Sequence, residues 1–543
     1  MSRPAFEVAI LGGGHNGLVC AAYLARGGAR VVVVEKNASI GGTALTEEFH
    51  PGFRNSVAAY TVSLLNPKVI HDLQLAHHGL RIVERPVANF WPVEGARGLV
   101  MPYGRAARQK AIAEFSTTDA ERLPAYDAAL ERAAEFLRDL LLRTPPNAGG
   151  GVAEIVRNAG LARRFTGLGV ENHQLLVDLF TRSAAEFLDG WFESEVVKAA
   201  FAFDGIVGAY ASPWTPGTAY VLLHHCFGEV NGRMGVWGHA IGGMGAISNA
   251  IATAAREVGV VIRTDAPVRE VVLRDGRAAG LRLEGGEVIE ARMIAANVGP
   301  KLLFRDLLPP DAVNPELRRR FLGIRTGSGT FRMNVALSEL PDFRSRPGTN
   351  RQDHHASGII IGSSIDYMDQ AYLDARRDGW SRHPVVEMLI PSTLDDTLAP
   401  PDRHVASLFV QHVAPKLPDG RSWEDPAEKA RFADLVIDTV TAHAPNFRAS
   451  VLARQVLSPL DLERRFGLVD GDIFHGALGL DQLFSTRPVV GYANYRLPVP
   501  GLYLCGAGAH PGGGVTGVPG HNAAREILAD LARLNRREPP WMR

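Results

Sequence analysis

Polar positions nearly vanish in two short runs early in the chain, and glycine marks the gaps between elements. Phe6–Leu11 carries only Glu7 among apolar residues, which predicts a strand buried on both faces. After Gly12-Gly13-Gly14, small and apolar residues (Leu18, Ala21, Ala22, Leu24, Ala25) recur at helical spacing until Gly27-Gly28, predicting a helix with one inward face. Val31–Val34 is the second run, and Glu35 closes it. Residues 105–230 carry mostly helical periodicity, broken at Pro145-Pro146 and Gly149-Gly150-Gly151, the one stretch of biased composition. Gly242-Gly243-Met244-Gly245 opens an apolar helix, Ala246 to Val258. The short runs Val260–Arg263, Val268–Leu273, Gly280–Leu283 and Val288–Ala291 follow, with turns at Asp275-Gly276 and Gly285-Gly286. The last three predict a small antiparallel meander, and Met293–Asn297 a separate strand returning to the main sheet. Residues 301–490 mix helices with strands such as Val385–Ile390 and Val405–Val410. Near the end, Leu502–Cys505 predicts a buried strand, 506–517 a glycine loop and His521–Leu534 an amphipathic helix. No internal repeat is evident.

The order strand, glycine turn, helix, strand, acidic residue is that of a dinucleotide-binding βαβ unit. Gly12, Gly14 and Gly17 have G-x-G-x-x-G spacing. The first makes the tight turn, the second lets backbone approach a pyrophosphate, and the third lets helix and strand pack closely. A carboxylate at Glu35 accepts from ribose hydroxyls and repels a 2′-phosphate, which disfavours NADP. Gly512, Gly514 and Gly517 repeat the spacing, but no second strand follows, so they are not a second nucleotide unit. That loop, running into a helix, instead presents N–H groups and a positive dipole end.

Composition narrows the function classes. The chain has 543 residues, 46% hydrophobic and 21% charged, ample for a large core and unlike a disordered protein. Lys+Arg and Asp+Glu balance at 58 each, so no net field recruits nucleic acid. Cys20, Cys226 and Cys505 lie far apart with no C-x-x-C, against a redox disulfide and for a reducing compartment. The strand at Phe6 leaves no room for a leader peptide, and no apolar run reaches membrane-spanning length. A cytoplasmic protein without a transmembrane segment is expected.

Glu35 is followed six residues later by Gly41-Gly42-Thr43, then by an irregular stretch with Phe49, Phe53, Asn55, Ser56 and Tyr60. Together with Ser458–Leu468, Gly471–Gly476 and the segment GLYLCGAGAHPGGGVTGVPGHNAA from Gly501, this resembles the phytoene desaturase-like branch of the FAD-dependent amine-oxidase superfamily across nearly the whole chain. Within it the chain is similar to the group called phytoene dehydrogenase-related proteins.

The resemblance implies an α/β fold: a Rossmann-type FAD-binding domain from residues 1–75, 232–300 and 490–535, interleaved with a mixed α+β substrate domain, 76–231 and 301–489. It implies FAD as cofactor. Besides Gly12, Gly14, Gly17 and Glu35, cofactor-binding positions are then His15, Asn16 and Lys36. Gly41, Gly42, Thr43 and Ala44 would run beside the flavin-side phosphate and ribitol, and the backbone at Val268 would meet the adenine. Gly506, Ala507, Gly514, Gly517 and Val518 would belong to the flavin-side loop.

The function so implied is a desaturase or dehydrogenase passing a hydride from an apolar, polyene- or isoprenoid-like small molecule to flavin N5. Oxygen or a quinone would then reoxidise the flavin. The alternatives are a redox-neutral double-bond isomerase, an amine oxidase, or a flavin-bound interaction protein with little turnover. Carotenoid desaturases need an apolar tunnel and a membrane-contacting surface. Peripheral membrane contact is therefore open here, as is the oligomeric state, and the tail Pro539-Pro540-Trp541-Met542 hints weakly at docking.

Catalytic candidates are few. His510, on the flavin-side loop, would either donate to the flavin and shuttle a proton or simply fix the loop. Tyr60 would line the pocket or be a buried aromatic, and His239 is weaker. The pairs His77-His78, His224-His225 and His354-His355 diverge on any helix or strand, and no metal site is expected. Gly362-Ser363-Ser364 lacks a nucleophile elbow. The aromatics Phe180, Phe187, Trp191, Phe192, Phe201, Phe203, Tyr210 and Trp214 read as core packing rather than a polyene channel.

Overall fold

The computed structural model describes residues 4–93, 98–147 and 150–537. Gly149 of the predicted break and the Pro539–Met542 tail lie outside them. Two sheets organise the chain, each of seven strands. The first is built on β1 (Phe6–Leu11), which pairs parallel with β2 (Val31–Val34) on one side and with Val288–Ala296 on the other. Val261–Arg263 extends it beyond β2, and Leu502–Leu504 pairs with Val288–Ala296. β1 and β2 are buried almost throughout, as their continuous apolar sequence requires. Helix α1 (His15–Arg26) covers this sheet and packs on the helices Gly245–Glu257 and Val518–Arg537.

The expected meander is present, with one difference. Val288–Ala291 and Met293–Asn297 are not separate strands. They form one strand, Val288–Ala296, whose first half pairs antiparallel with Arg277–Leu283 and whose second half pairs parallel with Leu502–Leu504. No turn residue stands between Ala291 and Met293, so the backbone has no reason to break. The stretch after Thr43 is not irregular either: Thr46–His50 and Phe53–Ser56 form a hairpin over Pro51-Gly52. The C-terminal helix starts at Val518 rather than His521. Pro519 is tolerated in a first turn, and the Thr516 hydroxyl accepts the Val518 N–H at 3.1 Å.

The second sheet runs Val451–Leu457, Thr330–Leu337, His404–Val413, Trp380–Leu389, Gly358–Ile361, Asn89–Trp91, Leu99–Met101. One face of its central strands is wholly apolar: Phe331, Met333 and Val335 join Leu408 and Met388 in one core. The other face carries buried polar residues, Arg332, Asn334, Ser407 and Glu387. Helices between residues 105 and 225 pack into a separate cluster around Tyr126, Phe187, Phe192 and Phe203. Phe192 and Phe201 stack at 5.2 Å. Residues expected with the second region also reach the first core: Leu303, Phe304, Leu308, Phe321 and Ile324 pack beneath the nucleotide-type sheet.

Candidate functional site

The carboxyl ends of β1, β2 and Val288–Ala296 open onto a cavity of about 350 Å³, the position where doubly wound sheets bind ligands. The two glycine signatures meet there. Gly41 donates its N–H to the Gly13 carbonyl at 2.9 Å, and Gly14 and Gly41 form a parallel bridge. Gly12 is left-handed, φ 100°, where a side chain is strained. A Cβ on Gly17 would overlap the Gly12 carbonyl and stand 2.9 Å from Asn297 Nδ2. Glu35 is buried and braces the turn: Oε2 accepts from Gly13 N at 2.8 Å, and Oε1 from Asn37 N and Nδ2, both at 2.9 Å.

Most of the predicted cofactor positions line this cavity: Gly12, Gly14, His15, Asn16, Glu35 and Lys36, then Gly42, Thr43, Val268, Ala507 and Gly514. Gly17, Gly41, Ala44, Gly506, Gly517 and Val518 stand behind it and shape it through backbone. Ala44, for example, donates its N–H to Gly41 O and accepts Ser248 Oγ, and Gly506 sits against Asn297. Asn297, which the motifs do not single out, bonds Gly12 O through Nδ2 at 3.2 Å. Lys36 donates to Arg464 O at 3.0 Å; burial lowers its pKa, opposed by Glu35. Phe466 and Leu468, shortly after Arg464, line the cavity as well. His15 Nε2 and Asn16 Oδ1 are buried with no partner among the described residues. Unpaired polar atoms at a helix N-terminus beside bare glycine backbone suit an anionic dinucleotide.

A profile of the family described as flavin containing amine oxidoreductase matches residues 17–528. The chain belongs to this family. FAD is accordingly its cofactor, and the protein is an FAD-dependent oxidoreductase. It is 40% identical to pyridine nucleotide-disulfide oxidoreductase domain-containing protein 2 of Rattus norvegicus, over 98% of this chain and 95% of that one. A limonene dehydrogenase component of Castellaniella defragrans is 24% identical, over 97% and 95%. Phytoene desaturase of Pseudescherichia vulneris is also 24% identical, over 94% and 96%. Among solved structures, cyclohexylamine oxidase of Brevibacterium oxydans shares the fold with TM-score 0.55 at 17% identity, over 98% of this chain and 100% of that one.

In this flavin-containing oxidoreductase the cavity lining also includes the apolar residues Ala58, Val62, Val207, Ile247, Phe409 and Val515. Tyr60 lines it too. The second sheet explains what stands behind Tyr60. Arg332 and Glu387 both pair with Phe409, one from each neighbouring strand, and directly opposed residues share a face. Tyr60 packs on this row, its ring 5.4 Å from Phe409 and 4.5 Å from the Arg332 guanidinium. Its hydroxyl donates to Glu387 Oε2 at 2.5 Å. Burial pushes the Tyr60 hydroxyl well above its usual pKa and Glu387 adds to this, while Arg332 and Arg85 oppose it. Glu387 is raised by burial, against the pull of Arg85 and the Tyr60 bond. Arg332 is lowered to about 10 by burial, with Nη2 on Ser407 Oγ and two other nitrogens unpartnered.

The other catalytic candidates fall outside the cavity lining. His510 Nε2 donates to Leu140 O, 3.0 Å away, and its ring packs on Phe484. It pins the glycine loop to a helix end, and burial lowers its pKa to about 4. His239 bonds Asp395, which also accepts from Gly242 N and Thr397, so it clamps the Gly242-Gly243 turn. Of the histidine pairs, His225 does line the cavity, with Nδ1 on Val221 O at 2.9 Å. Among the described residues no three His, Cys, Asp or Glu side chains gather to hold a metal. None of the eight aromatics of the helical region lines the cavity.

Proposed function

We propose that this oxidoreductase is a dehydrogenase or desaturase of an apolar, alkene-rich substrate such as a polyene or isoprenoid. The carrying observation is one proton-accepting pair, Tyr60–Glu387, at a cavity wall that also carries the apolar residues Ala58, Val62, Val207 and Phe409. Removing hydrogen across a C–C bond takes a hydride and a proton from adjacent carbons. Bound FAD supplies the two-electron acceptor. The chain supplies the proton path: Tyr60 Oη receives the substrate proton as its own passes to Glu387 Oε2. Arg332 over the ring face stabilises the negative character that develops on Tyr60 during the relay. The apolar walls orient the substrate and exclude water. Limonene and phytoene, in the names of two relatives, are hydrocarbons without a charged handle, which supports the substrate class. Oxygen or a quinone would complete the cycle. Three free cysteines fit a cytoplasmic setting, and no helix among the described residues is long and apolar enough to cross a membrane.

The test is the visible spectrum of the anaerobic holoprotein while limonene, polyenes, fatty acids and amines are added in turn. Bleaching of the flavin bands by an alkene, slowed in Tyr60→Phe, is expected. Bleaching by amines alone would refute the substrate class, and bands that never bleach would favour isomerisation or a binding role.

A further inference from the structure

His475 lines the same cavity as Gly14, His15 and Gly514, yet belongs to none of the glycine signatures. Its backbone is left-handed, φ 57°. A residue with a side chain stays there only where its surroundings over-determine it. Two buried charges do so. Asp472 accepts the N–H groups of Phe474 at 2.7 Å, Gly476 at 3.2 Å and Gly327 at 3.0 Å. Arg487 donates to the carbonyls of Phe474 at 2.6 Å and Gly476 at 3.3 Å, and to Ala507 O at 2.7 Å. Ala507 lies in the flavin-side loop, so Arg487 ties the turn to that loop. His475 is therefore fixed at the cavity against its own backbone preference.

No hydrogen bond at Nδ1 to any of the described residues explains that. His475 Nδ1 is buried and unbonded, facing Gly299 where an added Cβ would stand 3.2 Å away. His15 Nε2, at the first residue of α1, is unbonded as well. The charged and titratable groups facing His475 are Arg487 and His15; at His15 the Gly514 backbone is the facing group that favours protonation. Burial keeps both imidazoles neutral, each lowered to about 4.

We propose that His475, with His15, holds the diphosphate of FAD, so that a turn far from the nucleotide motifs supplies a cofactor ligand. This rests on the diphosphate lying at the Gly12–Gly17 turn. An anion placed between two neutral imidazoles raises the proton affinity of both. Binding then takes up protons, and affinity falls as pH rises above about 4.

The test uses His475→Gly, which suits the left-handed backbone, and His475→Asn, which tolerates it and keeps a donor that does not titrate. FAD release from holoprotein is followed by fluorescence, and ADP is titrated calorimetrically into deflavinated protein in two buffers of different protonation heat. Expected are at least tenfold weaker FAD and ADP binding in both variants, and less proton uptake on ADP binding than in the unaltered protein. ADP affinity unchanged in both variants overturns the proposal, even if FAD weakens, because the contact would then lie beyond the diphosphate. So does the absence of proton uptake in the unaltered protein. Glu35→Gln is the control: if it too leaves FAD and ADP unaffected, the placement of the nucleotide fails, not the role of His475 alone.

Discussion

Glu35→Gln is the sharpest perturbation of the nucleotide site, because the substitution keeps size and shape. Both carboxylate oxygens of Glu35 accept backbone N–H groups, Gly13 on Oε2 and Asn37 on Oε1, and Asn37 Nδ2 adds a third bond. An amide offers one acceptor. Turned toward Asn37, which brings two donors, it points its NH₂ at the Gly13 N–H, donor against donor. One charge-assisted bond is lost there, worth roughly 1.5–3 kcal/mol. Gly13 lies inside the turn that shapes the cavity, and the same carboxylate would accept from the ribose. The loss should therefore appear in cofactor binding, at about 10- to 100-fold weaker FAD, since 1.4 kcal/mol is roughly a factor of ten. Quenching of FAD fluorescence during titration of deflavinated protein measures it directly. A dissociation constant within about threefold of the unaltered protein, with an unchanged melting temperature, would show that neither the brace nor the ribose contact operates. A uniformly lower melting temperature with normal FAD affinity would assign Glu35 to the turn alone.

Four further outcomes are expected. Tyr60→Phe should slow flavin reduction by substrate about 100-fold, the lower end of general acid–base contributions, with little change in FAD affinity; stopped-flow bleaching reads both. Because burial raises the Glu387 carboxyl, reduction should quicken with rising pH across a limb above the usual carboxylate range, as Glu387 ionises to accept the relayed proton. Glu387→Gln should abolish that limb. Gly17→Ala places a methyl against Gly12 O and Asn297, so overpacking of at least 1–3 kcal/mol should yield flavin-free protein, visible as a lost absorbance at the flavin bands. At Asp395, burial raises the carboxyl, but bonds from His239, Thr397 and Gly242 outweigh it and leave the pKa lowered. Its stabilisation is present above the unfolded carboxylate pKa and lost as pH falls through the folded value. A melting-temperature profile below about pH 4 should then be flatter in Asp395→Asn.

How much of this was legible in sequence follows the range of the forces involved. Gly12, Gly14 and Gly17 are dictated within one turn by backbone sterics, and Glu35 ends the strand beside them, so the nucleotide half could be read from local spacing. Resemblance was needed to assign Gly41-Gly42 to the same site, and the structure supplies the reason as a hydrogen bond from Gly41 to Gly13. The meander was visible through its Asp275-Gly276 and Gly285-Gly286 turns. Its return strand was misread as separate because pairing changes from antiparallel to parallel along Val288–Ala296 without any change in sequence character. For His510 the sequence leaves two roles open, donating to the flavin or fixing its loop; its ring bonds Leu140, far earlier in the chain, a contact local spacing does not encode. The other half of the site lay beyond local reasoning for a geometric cause. Arg332, Phe409 and Glu387 share one face only through the register of three strands, and nothing in the spacing from 332 to 387 to 409 encodes that register. What the sequence does carry is a charge inside each of two mostly apolar runs. Buried strands exclude charge unless it is paired or functional. Arg332 within TFRMNVAL and Glu387 within VVEML are therefore the signal that would have pointed to a polar row facing Tyr60, before any fold was known.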